Sequence, residues 1–246
     1  MRIISLASGS KGNAYLVEHE GSAILIDCGI PYKHFKDVQF DAVLITHSHT
    51  DHVSGLKVLL KHRDIPVYAN AMTAETVIHD CGLGESAFVC FENGQDFELG
   101  GFRVNPFSIP HDSSDPVGYL VKAGGSTYFH GTDIGTPLDS IGVKLAESDV
   151  AILESNHDPV LLRKSGRPPS VIQRIAGPRG HLSNDQTCEL VRKFASPRLR
   201  KLALAHLSRD CNVSHVAEDA MRETLRAMGR EDIELKILFQ DEVVEL

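Results

Sequence analysis

Short apolar runs bounded by turn residues recur along the chain, at 3–6, 15–17, 24–26, 42–45, 117–121, 127–129, 150–153, 202–205 and 235–239. They are rich in β-branched or aromatic residues and too short for helices, so they read as buried strands. Only a few residues separate the first three, as in hairpins. The later runs alternate with stretches of helical periodicity at 53–61, 73–79, 185–194 and 216–228, and Ser183, Asn184 and Asp185 offer capping oxygens to the third of these. Hairpins followed by strand–helix alternation predict an α/β protein of mixed sheet. Two packed sheets with helices outside would bury this many strands in one domain, and a single mixed sheet satisfies the same pattern.

Length supports one domain spanning 1–246. With 42% hydrophobic and 24% charged residues the composition is that of an ordinary globular chain. No run approaches the roughly 18 apolar residues of a membrane span, and the N-terminal stretch has no signal-peptide core. A soluble, cytoplasmic protein without membrane contact is therefore expected, with a homodimer as the expected assembly. The five cysteines (Cys28, Cys81, Cys90, Cys188, Cys211) are odd in number and contain no CxxC pair. Buried thiols are expected, neither a disulfide framework nor a thiolate zinc cage.

Charge changes the picture locally. A net charge of −8 argues against nonspecific coating of nucleic acid. Yet no acidic residue falls between Asp158 and Asp185, where Arg163, Lys164, Arg167, Arg174 and Arg179 all lie. Such a stretch suits backbone phosphates, and with almost no aromatic residues it would not read bases.

The chemistry concentrates at DAVLITHSHTDHVSGL. A buried strand runs directly into His47, His49, Asp51 and His52. Three imidazoles and a carboxylate within six residues are hard to pack without a cation, and their donor atoms suit zinc, with manganese or iron as less specific options. His111, Asp133 and His206 each follow an apparent strand, the edge where α/β proteins place their sites. Glu154 ends another strand, and His181 sits in a glycine-containing loop before a helix. His157 and Asp158 are further candidates for the pocket lining.

The pattern HxHxDH, then a separate His, a Gly-Thr-Asp and a late strand-end His, resembles the metallo-β-lactamase superfamily over nearly the whole chain. That resemblance implies an αβ/βα four-layer sandwich and two divalent metal ions, zinc or manganese with iron as a further option. One ion would be held by His47, His49 and His111, the other by Asp51, His52 and His206, with Asp133 bridging. Asp27 in LIDCG would support the site loop without being a ligand. Two such cations activate a shared water and clamp the attacking and leaving oxygens of a phosphoryl or carbonyl substrate. The ligands alone do not say which.

RNase Z-like phosphodiesterases of this superfamily carry an acidic residue and a late histidine in the same chain order. The resemblance gives His181 the role of general acid, Glu154 that of orienting it, and Asp51 a place in the catalytic set. A closer resemblance, in LASGSKGNAYLVE, ILIDCG, THSHTDH, IPHDSSDPVGY, LESNHD, GHLSN and AHLSRDCN, is to the YycJ/WalJ group. It implies 5′→3′ exonuclease activity on double-stranded DNA and a DNA-repair role. The SGSKGN segment departs from the group's more usual serine at Lys11, where a lysine either touches phosphate or sits in solvent.

Four other readings fit less well. A cyclic phosphodiesterase similar to PhnP shares the metal motif and the short length. Thioester, lactone or β-lactam hydrolysis finds no appended helical substrate domain, and a β-CASP insertion does not fit in 246 residues. A metal-binding regulator with a vestigial site is opposed by the intact ligand set.

Overall fold

The computed structural model describes residues 1–246. Its chain divides into two units. The first comprises Met1–Ser108, Ser113–Gly125 and Phe239–Glu245, and the second Ile109–Asp112, Ser126–Leu238 and Leu246.

In the first unit the strands are β1 (Arg2–Ala7), β2 (Ala14–His19), β3 (Ser22–Ile26), β4 (Ala42–Leu44), β5 (Val67–Asn70), β6 (Phe88–Phe91), β7 (Phe97–Leu99), β8 (Phe102–Ser108) and β9 (Val117–Ala123). A short C-terminal strand, Val244–Glu245, opens a sheet that continues β1-β2-β3-β4-β5-β6. Pairing is antiparallel as far as β3 and parallel from β3 to β6. The parallel strands β3 and β4 are apolar on both faces, as buried parallel strands must be. Leu25, Val43, Ile45 and Val67 join Leu56 and Leu59 in one buried cluster. Strands β7, β8 and β9 form an antiparallel meander. The helices here are α1 (Thr50–Val53), α2 (Leu56–His62) and α3 (Ala71–Cys81), the last closed by Gly82 in the left-handed conformation at φ 59°.

The second unit carries four parallel strands in chain order, β10 (Ser126–Gly131), β11 (Val150–Glu154), β12 (Lys201–Ala205) and β13 (Glu234–Ile237). Between them run α4 (Asp139–Ala146), α5 (Pro159–Lys164), α6 (Pro169–Ile175), α7 (Asn184–Phe194) and α8 (Ser214–Ala227). Ser183 caps α7 with a full capping box, its hydroxyl taking Gln186 N–H while the Gln186 side chain takes Ser183 N–H. No helix is long and apolar enough to cross a membrane.

Every strand expected from an apolar run is present. Strands β5 to β7 were not among the expected runs; each has three or four residues, and β6 and β7 bury none of theirs completely. Strand β8 was legible only at its C-terminal end, since Asn105 and Pro106 interrupt its alternation. Helices α4, α5 and α6 are short, and two of them begin at proline, which hides their periodicity.

Candidate functional site

In the first unit β4 delivers Ile45 and Thr46 into the histidine loop, where His47 and His52 are fully buried and His49 and Asp51 partly so. The loop hangs on Asp27, at the end of β3. Its carboxylate accepts Thr46 N–H at 2.9 Å, the Thr46 hydroxyl at 2.9–3.0 Å and His52 Nδ1 at 2.7 Å. Because the Thr46 hydroxyl donates to Asp27, it accepts from His47 Nδ1 at 3.0 Å. Both rings are thereby fixed with the proton on Nδ1 and the lone pair on Nε2. Asn13 supports this tautomer, its amide nitrogen lying 3.2 Å from His52 Nε2.

The second unit repeats the device. His111, 1% exposed, donates from Nδ1 to the Gly180 carbonyl at 3.0 Å. Glu154, at the end of β11, is wholly buried and receives four donors. Its Oε2 accepts Ile134 N–H at 2.8 Å and Leu182 N–H at 3.0 Å; its Oε1 accepts His181 Nδ1 at 2.8 Å and His206 Nδ1 at 3.0 Å. Burial pushes its carboxyl upward, but the charge of His181 and the hydrogen bonds from His181 and His206 outweigh burial and hold it below the usual range. Asp133 Oδ1 lies 3.6 Å from His181 Nδ1, 3.5 Å from His206 Nδ1 and 3.7 Å from His111 Nε2.

Backbone conformation marks the same positions. Only five non-glycine residues have positive φ, and three are Asp27 (60°), Asp133 (61°) and His206 (55°). Left-handed backbone at polar strand ends is strain that functional sites retain. The loop carrying His181 needs Gly135 beneath it, where a Cβ would fall 2.5 Å from Arg179 Cα.

A divalent cation fits this chemistry. His47, His52, His111 and His206 each have Nδ1 bonded to a hydroxyl, carboxylate or carbonyl, which makes Nε2 the lone-pair nitrogen. Outer partners of this kind orient imidazoles toward metal ions.

A β-lactamase superfamily domain matches residues 23–206. The chain belongs to the metallo-β-lactamase superfamily. As a member it is a metal-dependent hydrolase. It is 31% identical to the exodeoxyribonuclease WalJ of Streptococcus pneumoniae, over 88% of this chain and 85% of that one. With the exodeoxyribonuclease YycJ of Bacillus anthracis it shares 30% identity, over 91% of this chain and 89% of the relative. The solved structure of Zn²⁺-bound PqqB from Methylobacterium extorquens superposes with a TM-score of 0.76 at 15% identity, covering all of both chains. These likenesses give the chain the metallo-β-lactamase fold, an α/β sandwich of two mixed sheets flanked by helices.

The basic stretch is less open than its sequence suggests. Arg167 pairs with Asp210 at 2.6 Å and Arg174 with Asp112 at 2.5 Å, acids contributed by distant segments. Arg179 donates from Nε to the His111 carbonyl at 2.9 Å. Arg163 and Lys164, exposed in the last turn of α5, make no ion pair. Asp158 caps α5, its Oδ1 accepting Val160 and Leu161 N–H. His157 is 3% exposed and its Nδ1 has no hydrogen-bond partner. Sequence reasoning missed Thr46, Asn13 and Asn156, whose amide reaches the His206 carbonyl at 2.8 Å. The adjacency of Thr46 to His47, and of Asn156 to the ESNHD segment, was the available signal.

Proposed function

We propose that this member of the metallo-β-lactamase superfamily is a dinuclear-metal phosphodiesterase acting as a 5′→3′ exonuclease on double-stranded DNA, with a DNA-repair role. The reading is carried by the His181–Glu154 pair. With Nδ1 held by a buried carboxylate at 2.8 Å, the His181 ring presents Nε2, and its side chain keeps 15% exposure toward solvent. A leaving alkoxide requires a proton donor held in this way, and His181 supplies it while Glu154 fixes the ring. The activity named for the WalJ and YycJ relatives supports nucleic acid, and DNA in particular, as the substrate.

The proposed metal ligands are His47, His49, Asp51 and His52 in the first unit and His111, Asp133 and His206 in the second, zinc or manganese being the ions their donors suit. When bound, such ions supply a nucleophile at neutral pH and neutralise charge on the phosphoryl group. Asp51 belongs to the catalytic set as well as to the ligands. Arg163 and Lys164, exposed and without ion pairs, are the residues of the basic stretch assigned here to backbone phosphates.

The test offers purified protein, loaded with Mn²⁺ or Zn²⁺, a 5′-labelled DNA duplex, single-stranded RNA, a cyclic nucleotide ester, bis-p-nitrophenyl phosphate and a thioester. Release of nucleotides from the 5′ end of the duplex, abolished by chelation and by His181→Ala, is expected. Turnover of the thioester alone would sink the reading.

A further inference from the structure

The loop joining β1 to β2, residues 8–13, is built with more care than a hairpin connection requires. Gly9 and Gly12 adopt φ 148° and 146°, and a Cβ on Gly12 would fall 2.2 Å from the Gly29 carbonyl. Five of its six backbone N–H groups are committed. Ser8 N–H goes to Phe239 O, Gly9 N–H to Asn13 Oδ1, Gly12 N–H to Gly9 O and Asn13 N–H to Asp51 O. Gln240 grips the tip twice, accepting Lys11 N–H at 2.8 Å and donating to Gly12 O at 2.7 Å.

What this scaffold leaves unused is specific. Ser10 makes no hydrogen bond through its N–H or its hydroxyl, and the exposed Lys11 ammonium has no acidic partner in a chain of net charge −8. A backbone donor, a hydroxyl and an ammonium on two consecutive exposed residues offer an anion three donors. The loop also ends at the metal-binding segment, since Asn13 touches His52 Nε2 at 3.2 Å. Two residues of chain span at most about 7 Å, which keeps the backbone of Lys11 near the residue that touches His52.

We infer that Ser10 and Lys11 form a phosphate subsite for the strand being degraded, gripping a backbone phosphate next to the one attacked, with Gln240 holding the loop in shape. The assignment rests on the nucleic-acid reading above.

Metal-stripped protein titrated with a 3′-fluorescein, 5′-phosphorylated DNA duplex tests it by anisotropy across a range of salt. Lys11→Ala should bind about tenfold more weakly, with the slope of log affinity against log salt shallower by about 0.9, the signature of one lost phosphate contact. Lys11→Arg should restore the slope, Ser10→Ala should weaken binding without changing it, and Lys33→Ala should match wild type. In the loaded enzyme the Lys11→Ala loss should fall on KM, not kcat. Wild type that binds and cuts the duplex while Lys11→Ala follows it in affinity and slope overturns the subsite alone. Wild type that neither binds nor cuts any strand, yet hydrolyses bis-p-nitrophenyl phosphate, overturns the nucleic-acid reading and the subsite with it.

Discussion

Arg179 donates from Nε to the backbone carbonyl of His111 at 2.9 Å, across 68 residues of sequence. The next residue, Gly180, accepts from His111 Nδ1, and Arg174 pairs with the neighbouring Asp112. A segment that reads from its charges as a phosphate-binding face therefore staples a proposed metal ligand in place. Removing outer partners of metal ligands commonly costs about 10–100-fold in metal affinity. Arg179→Ala should weaken Zn²⁺ binding by about that factor in competition with a chromophoric chelator, while leaving the salt dependence of DNA binding unchanged. Unaltered metal affinity together with a shallower salt slope would assign Arg179 to phosphate.

Glu154 gathers four donors, so its removal should affect more than its own charge. Glu154→Gln keeps the size but loses the carboxylate that holds His181, and kcat on the duplex should fall by about 10²–10⁴. A pH effect follows from the direction of its shift. Since the folded carboxyl titrates below its ordinary value of 4.5, the group's contribution to stability is complete above that value and is lost as pH falls through the depressed folded value. Acid titration of metal-stripped protein, followed by circular dichroism, should show wild type losing stability steeply below pH 4.5 and Glu154→Gln losing it less steeply. Parallel curves would mean that other carboxylates control acid unfolding.

Asp27 should behave as a support and not as a ligand. It accepts Thr46 N–H, the Thr46 hydroxyl and His52 Nδ1 while sitting at φ 60°. Asparagine tolerates left-handed backbone, so Asp27→Asn isolates the loss of an acceptor from backbone strain. Its amide presents a donor where one carboxylate oxygen stood, and one donor of Thr46 or His52 is left buried without an acceptor. The expected cost is about 1–3 kcal/mol in urea unfolding, with weakened metal binding. Asp27→Ala adds the strain of a left-handed alanine and should cost more. Equal stability of all three proteins would contradict the supporting role.

The sequence made the donors legible because most of them crowd into one turn or close a strand, and both patterns survive translation into one dimension. His47, His49, Asp51 and His52 fall within six consecutive residues. The strands β3, β4, β11 and β12 that end at Asp27, Thr46, Glu154 and His206 are unbroken apolar runs. What stayed hidden depends on contacts between distant segments. Arg174 meets Asp112 across 62 residues and Arg167 meets Asp210 across 43, so a local count of charges saw cations without their partners. The sharing of Glu154 between His181 and His206 was likewise invisible, because chain order pairs the glutamate with only one of them. Left-handed backbone at Asp133 and His206 has no signature when the residue is not glycine.

The cysteines should separate by burial. Cys28 is wholly buried, and that burial, reinforced by the charge of Asp27, pushes its thiol far above the ordinary range. Cys188 is raised for the same first reason, and Cys211 is also buried. Only the thiolate attacks a disulfide reagent, so neither exposure nor ionisation favours reaction at these positions. Cys90, exposed on β6, should be the first residue modified by dithionitrobenzoate at neutral pH, with the half-buried Cys81 slower because burial and Asp80 raise its thiol. Native protein should therefore release one fast equivalent of chromophore and one slow one, and urea should expose the remaining thiols. Cys90→Ser should abolish the fast phase and leave metal binding intact, since β6 carries none of the proposed ligands. A fast phase that persists in Cys90→Ser would show that another thiol, with Cys81 the next most exposed, reacts first.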